Sequence, residues 1–344
     1  MRYLFGTPQN FHDFVNLISA KDKIGIFSHT DVDGLASAVF LTKILESKNL
    51  KVDFLEFFNY EVGILKKKFK GKLCDKLFLT DWYADEFEED LDYLRKKSDV
   101  LVFDHHPLNE NLKNKKGIIK TESSYCSAHA LFDLAKNYFD VKDLENLFYA
   151  SLIFDYTITD ERVLKILKEK YPKITKENVF ESEPGRFGKK IDNALNYHIS
   201  DIKKVYDLVL ENDLSSFDEI NKIVEKDIIE NEKRFMKKAE YFSDKNLHFG
   251  YFNPKFAKTS TIISKLSYDN PDKIFVMVSD IKEKKDDVKV SSRYQKGDLD
   301  LGEILHQLSK NLEGSTFGGH AKAAGGSFPK KYLGEFKKLL LKSL

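Results

Sequence analysis

The stretch Ile24–Phe40, "IGIFSHTDVDGLASAVF", decides the fold. It begins in a β-rich run, "KIGIFS" (23–28), and passes at once into "HTDVDG". Leu35, Ala38, Leu41 and Leu45 then recur at three and four, which suits one face of a helix. Charged groups beside a core element require water or a partner, so His29, Asp31 and Asp33 need an explanation. Three similar runs follow: "KVDFLEFF" (51–58), "KLFLTD" (76–81) and "DVLVFD" (99–104), separated by segments of helical character. Strand–helix–strand repetition argues for an α/β fold, a parallel sheet with helices on both sides. Ligands of such sheets collect beyond the carboxyl ends of the strands. The acids stand there: Asp31 and Asp33 after the first run, Asp81 and Asp104 closing the third and fourth.

A chain of 344 residues has room for about two ordinary domains. Its 56 basic and 55 acidic residues leave a net charge of +1, which argues against a coater of long DNA but leaves a local basic groove open. Two unpaired cysteines, Cys74 and Cys126, argue against a disulfide framework or a cysteine zinc site. No apolar stretch approaches the roughly 20 residues of a membrane span, and "MRYLFGTPQNFHDF" lacks a signal region, so a cytoplasmic protein without membrane contact is expected. From about 160 to 245 the chain is Lys/Glu-rich with helical spacing, interrupted by "FESEPGRFGKK", which reads as a loop. Beyond 246 come strands, "LHFGYF", "KIFVMVSDI" and, after a charged turn "KEKKDD", "VKVSSRY"; the Gly-rich "FGGHAKAAGGSF" follows. The expected division is an N-terminal parallel-sheet domain over 1–195, a helical linker over 196–245 and a smaller α/β domain over 246–344.

His29, Asp31, Asp33, Asp81, the "DHH" of Asp104, His105 and His106, and Asp155 in "SLIFDYTITD" form a set. Taken singly, each has an ordinary reading: an Asp after a strand caps a helix, and a histidine packs in a core. Taken together, carboxylates and imidazoles at the tips of neighbouring strands converge. So many acids repel one another unless cations neutralise them. Oxygen and imidazole donors without thiolate suit Mn²⁺ or Mg²⁺, and two such ions clamp the attacking and leaving oxygens of a phosphoryl transfer.

"SHTDVDGLASA", the "LTD" aspartate, "DHHP" and "IFDYT" resemble, in order, the four motifs of the DHH phosphoesterase superfamily. "SSRY" with "FGGHAKAAGG" resembles the signature of its DHH-associated C-terminal domain. The superfamily includes RecJ-type exonucleases, nanoRNases, cyclic-dinucleotide phosphodiesterases and family II pyrophosphatases, and the "HxDxDG" form is most similar to RecJ and its archaeal relatives. The resemblance implies two Mn²⁺ ions, with Mg²⁺ as the alternative: Asp31 on one, Asp33 on the other, Asp81 bridging, and His105 and Asp155 completing the second. His29 joins the ligands with one departure, lying two residues before Asp31 where nanoRNases and pyrophosphatases have four. His105 and His106 with Asp104 form the catalytic set, His106 facing the scissile phosphate or lending a ligand and Asp104 orienting the histidines. Gly34 lets the backbone turn tightly beneath the ions.

The C-terminal domain is expected to bind nucleotide through the backbone N–H groups of Gly318 and Gly319, a donor on His320, and a bidentate Arg293. Gly325 and Gly326 read as packing glycines. Trp82 reads as a core aromatic, and His198 and His248 as structural or exposed. Cys126 and His129 read as part of an amphipathic helix with no acid nearby in sequence. The expected function is Mn²⁺-dependent hydrolysis of single-stranded DNA or RNA, or of short oligonucleotides or dinucleotides, to mononucleotides. The alternatives are a cyclic-dinucleotide phosphodiesterase and a catalytically silent replisome-type scaffold. A homodimer is compatible with everything in the sequence.

Overall fold

The computed structural model describes residues 1–108, 112–281, 284–296 and 299–344. The chain divides into two compact units, Met1–Asp218 and Glu219–Leu344.

The first unit holds strands β1 (Tyr3–Phe5), β2 (Ile24–Ser28), β3 (Val52–Phe57), β4 (Lys76–Thr80), β5 (Asp99–Asp104) and β6 (Ile118–Thr121). Its helices are α1 (Pro8–Asn16), α2 (Val32–Ser47), α3 (Ile64–Phe69), α4 (Glu88–Arg95), α5 (Ser127–Ala135), α6 (Glu145–Phe154), α7 (Glu161–Lys170), α8 (Glu183–Tyr197) and α9 (Ile202–Leu210). The sheet order is β1-β6-β5-β4-β2-β3, parallel throughout except for β1 at the edge. All of β2 is buried, as continuous apolar strands of a doubly covered sheet are. On one face Phe27, Leu77, Leu79, Val100 and Val102 pack with Trp82 and with Leu65, Leu91 and Leu94 of α3 and α4. On the other, Phe11 and Phe14 of α1 meet Phe103 and Phe78 edge-on. The central helix α2 touches the sheet, α5 and α6, so it is buried on nearly every side. The connection from β2 runs outward to β3, while that from β4 runs the opposite way to β5. The crevice between the carboxyl ends of β2 and β4 is therefore the topological switch point, where open α/β sheets receive ligands.

In the second unit the order is β11-β12-β10-β9-β8-β7, with β7 (Glu240–Phe242), β8 (Leu247–Tyr251), β9 (Ile274–Ile281), β10 (Lys284–Arg293), β11 (Thr316–His320) and β12 (Ala323–Pro329). Only β8 and β9 are parallel. The helix α10 (Phe217–Lys238) leads into this unit, which also contains α11 (Thr259–Asp269), α12 (Leu301–Ser309) and α13 (Leu333–Ser343). Leu305, Leu308, Phe336 and Leu340 of α12 and α13 close one face over Val276, Val278, Val288 and Phe328. Among the described residues no helix is long and apolar enough to cross a membrane.

Three local expectations are corrected. "FESEPGRFGKK" is not a loop: Ser182 accepts from Gly185 N (3.2 Å) as N-cap of α8, with Pro184 in the first turn. Its glycines serve close approach, since a Cβ on Gly188 would lie 2.6 Å from the Phe154 ring. The charged residues Lys284–Asp287 are the start of β10 rather than a turn; Lys282 and Glu283 lie outside the described residues. The Gly-rich stretch is a pair of strands, β11 and β12, with Gly318 opposite Gly325.

Gly34 is also corrected in its reason. It lies inside α2 rather than in a turn, and a Cβ there would sit 2.3 Å from the His29 carbonyl oxygen. Gly to Ala in a helix ordinarily gains about 0.5–1 kcal/mol. Here the backbone collision reverses the sign, and Gly34→Ala should cost about 1–3 kcal/mol, read as a lowered urea midpoint. A raised midpoint would show that the close approach imposes no constraint.

Candidate metal centre

Each acid at the switch point is held by a different backbone device. Asp31 caps α2, one oxygen accepting from Gly34 N at 2.9 Å. Its ordinary role and its place in the cluster coincide, because the other oxygen lies 2.9 Å from His29 Nδ1. Asp33, two residues further on and buried, accepts from Ser127 N (2.9 Å) and Ala128 N (2.8 Å), the first two amides of α5. A helix N-terminus thereby fixes that carboxylate and offsets part of its charge. Asp81 follows β4 with φ 55°, in the left-handed region, a conformation that costs energy and that active sites retain. Asp155 ends α6, followed by Tyr156 at φ 58°.

Asp81 lies at the middle of the group. Its two oxygens stand 3.3 Å from His29 Nδ1 and 3.3 Å from His105 Nε2. His105 also faces Asp33 at 3.8 Å and Asp155 at 3.7 Å. Ligand atoms of His29, Asp31 and Asp81 fall within 4.8 Å of one another, and so do those of Asp81, His105 and His106. The structure thus brings His29, Asp31, Asp33, Asp81, His105 and Asp155 into one cluster, with His106 at its border.

Asp104 is turned away from that cluster and supports it. One of its oxygens accepts from His106 N (2.7 Å) and lies 3.2 Å from His106 Nδ1. The other accepts from Ala84 N (3.0 Å) and from Lys120 Nζ (2.7 Å). Lys120 donates also to Asp85 at 2.5 Å, and all three side chains are wholly buried. The His106 ring stacks on Tyr83 (4.8 Å), and its Nε2 lies 3.1 Å from the Tyr60 hydroxyl. Tyr60 reaches the Asp81 carbonyl oxygen (2.8 Å) and stacks on His29 (4.3 Å). Tyr60, Tyr83 and Lys120 lie outside the set read from the sequence. A lysine inside the apolar run "GIIKTE" is the one signal the sequence offers. Cys126 has no acid nearby in sequence, yet its thiol joins Asp33 and Asp155, all within 4.8 Å.

The charges interact strongly. Burial pushes the Asp155 carboxyl up to about 7, and burial with Asp81 and Asp155 raises Asp33 well above the carboxylate range. Burial would also raise Asp81, but His105 and His29 outweigh it and hold this acid well below the usual value. Burial opposes protonation of His29; Asp31 and Asp81 overcome it and bring the ring to about 10. Burial likewise opposes protonation of His105, and Asp155 and Asp81 overcome it and move the ring up. Meanwhile His29 Nδ1, His105 Nδ1, Asp81 Oδ1 and Asp155 Oδ2 are buried without an aligned hydrogen bond. Crowded acids, drawn-up imidazoles and orphaned donor atoms fit divalent cations held by oxygen and nitrogen.

The residues expected to bind nucleotide lie in the second unit. Arg293 ends β10, its Nε donating to Ser264 Oγ (2.9 Å) and an Nη to the Ser292 carbonyl (2.8 Å). Register sets Arg293 opposite Ala323, and Ala323 opposite His320, in one cross-strand row. The side chain of His320 lies outside what the structure describes. Gly319 (φ +136°) and Gly326 (φ +157°) have backbone conformations that favour glycine, and a Cβ on Gly325 would meet the Val290 carbonyl at 2.5 Å. Gly318 is different, since a Cβ there would meet nothing within 4 Å.

A family model described as the DHH family, N-terminal domain, matches residues 23–159, and one described as the DHHA1 domain matches 245–344. The chain belongs to the DHH/DHHA1 superfamily. Exonuclease RecJ bound to manganese is similar at TM-score 0.69 and 13% identity, over 98% of this chain and 94% of that one. RecJ from Thermus thermophilus in complex with Mn²⁺ is similar at 0.68 and 14%, over 98% of this chain and 54% of that one, so the chain spans about half its length. CDC45 from Entamoeba histolytica is similar at 0.56 and 11%, over 97% and 98%. At these identities the likeness is one of fold. No curated protein matches the sequence. Membership supports a metal-dependent phosphoesterase as the broad class.

Removing Lys120 leaves two buried carboxylates uncompensated, which typically costs about 3–5 kcal/mol. Lys120→Met should therefore lower the urea midpoint by far more than Lys136→Met on the surface, while Asp104→Asn with Asp85→Asn in the Met background should recover part of the loss. An unchanged midpoint in Lys120→Met would mean that the triad carries no net stabilisation.

Proposed function

We propose that the chain is a Mn²⁺-dependent phosphodiesterase of the exonuclease type, acting by a two-metal mechanism on single-stranded nucleic acid and releasing mononucleotides. The observation that carries this reading is the position of Asp81, whose two oxygens face two separate ligand groups. Asp31 and His29 with Asp81 would hold one ion; Asp33, His105 and Asp155 with Asp81 would hold the other. Bound there, such ions supply Lewis acidity and a water acidic enough to be hydroxide near neutral pH. The chain's own part is to fix these donors and to exclude alternatives. Asp33 is pinned by the amides of α5, and Asp81 by its own backbone turn and the Tyr60 hydroxyl on its carbonyl. Asp104 fixes the His106 ring on both its backbone and side-chain nitrogen, which suits a group that meets a phosphate oxygen. Arg293, held by Ser264, the edge-strand amides around Gly318 and Gly319, and His320 would bind the nucleotide.

Activity should require Mn²⁺, fall with Mg²⁺ and vanish on chelation. Asp81→Asn should abolish turnover and weaken Mn²⁺ binding by calorimetry, while the circular dichroism spectrum stays native. Full activity of Asp81→Asn in excess chelator would overturn the two-metal reading. Arg293→Ala should raise KM for a dinucleotide far more than it changes Mn²⁺ affinity.

Substrate length follows from charge. With a net charge of +1 the chain offers a long strand few phosphate contacts. Each neutralised phosphate of a single strand adds about 0.7 to the slope of log affinity against log salt. A shallow slope, equal to roughly two to four phosphates, is expected, with oligonucleotides of about two to five units cut at least as well as long ones. Titration of a dinucleotide, a pentanucleotide and a thirty-mer across a salt series tests this. A steep slope with strong preference for the thirty-mer would make it a long-strand exonuclease.

A further inference from the structure

Cys126 is the N-cap residue of α5, fully buried, directly before the two amides that hold Asp33. Its sulfur lies with carboxylate oxygens of Asp33 and Asp155 in a group no wider than 4.8 Å, and Ser151 Oγ is 3.7 Å from it. A cysteine among acids is not by itself a site. The second observation is His105, about nine-tenths buried, whose Nδ1 has no hydrogen-bond partner and faces the equally unpartnered Oδ2 of Asp155. His105 Nδ1 lies 3.7 Å from Asp155 Oδ2, while its other ring nitrogen, Nε2, lies 3.8 Å from Asp33 Oδ2. The separation of Nδ1 from Asp155 Oδ2 matches that of ligand atoms around a tetrahedral zinc ion, about 3.3–3.8 Å given zinc bond lengths of about 2.0–2.3 Å.

We infer that Cys126, Asp33, Asp155 and His105 form a site for thiophilic cations, Zn²⁺ or Cd²⁺, within the centre proposed above to work with a hard ion. The inference rests on the reading that this cluster holds cations. Mn²⁺ and Mg²⁺ favour the oxygen and imidazole donors and gain little from sulfur, whereas Zn²⁺ and Cd²⁺ form strong thiolate bonds. On binding, the S–H bond breaks, its electron pair forms the sulfur–metal bond, and the proton passes to solvent. Zinc already ranks above manganese at a given nitrogen, oxygen and sulfur site, so the thiol widens the gap. The consequence is regulation by zinc, which would occupy half of the centre and displace the hard ion.

The test uses the metal-stripped full-length protein titrated with Cd²⁺, followed by the ultraviolet charge-transfer absorption of a cadmium–thiolate bond. One saturable equivalent is expected in the wild type and in Cys74→Ser, whose only thiol is Cys126, and loss of the band is expected in Cys126→Ser. Absence of the band in Cys74→Ser, or its persistence in Cys126→Ser, overturns the site. The Cys74→Ser arm decides the matter even where Cys126 variants fold poorly. Competition titration should show Zn²⁺ affinity at least about tenfold weaker in Cys126→Ser, a loss typical of metal-site partners, with Mn²⁺ affinity preserved. Equal losses for both ions would mean that Cys126 only supports the structure, and would overturn the assignment. The thiolate band is independent of turnover. A protein that shows it yet cleaves no phosphodiester would refute the proposed function and leave this site standing.

Discussion

Asp33 and Asp81 are buried and Asp155 half-buried within reach of one another, and no arrangement of neutral groups lets three such acids keep their charge together. Positive charge is the constraint that the rest of the first unit serves. Without it, burial drives Asp33 and Asp155 toward the protonated form, and the surrounding acids draw the two imidazoles toward the charged one. The fold meets this constraint by topology. A parallel sheet sends all its carboxyl ends to one side, and the reversal of direction between β2 and β4 opens a crevice there. His29, Asp31 and Asp81 follow those two strands, and His105 follows the next.

Around the cluster, orientation is fixed by groups that never face it. Asp104 divides its oxygens between His106 and Lys120, so a buried lysine on β6 bears on a histidine that follows β5. A hydrogen bond to a charged group contributes about 1.5–3 kcal/mol, and a buried ion pair is costly to break. The same residues therefore carry local stability and the aim of a ring. Tyr60 couples the two sides, stacked on His29, bonded to the Asp81 carbonyl and adjacent to His106. These contacts tie side chains from several separate segments into one hydrogen-bonded and stacked network.

What could be read from the sequence, and what could not, follows from the distance over which each signal acts. The strands β2 to β5 and the acids at their ends are legible because burial and alternation are local. Joint occurrence at successive strand ends then makes a set of residues that are singly ordinary. Cys126, Tyr60 and Lys120 escape because their partners lie on elements far away in the chain, such as Asp33 beside Cys126. The loop reading of α8 has a separate cause. Gly185 and Gly188 look like breakers, but they are glycines because Val179 and Phe154 pack where a Cβ would be. Helix propensity lost to packing there, although Ser182 and Pro184 announce the helix start.

The second unit answers a different physical problem. Its sheet is mostly antiparallel, so it has no common end at which side chains collect; what it offers is an edge. On β11, the outer strand, half of the backbone groups point away from β12 and have no ladder partner. Gly319, Gly325 and Gly326 are explained by conformation or by the close approach of neighbouring backbone. Gly318 is explained by neither, because space around its α-carbon is open. A side chain at this position would meet no neighbour, so glycine there leaves open space beside the edge strand. The row that joins His320 through Ala323 to Arg293 ends on a guanidinium fixed by Ser264. An open edge position and a fixed cation in one sheet are the features on which the proposed nucleotide site rests. Glycine at 319 thus answers a demand of conformation and close packing, while at 318 the surroundings impose neither.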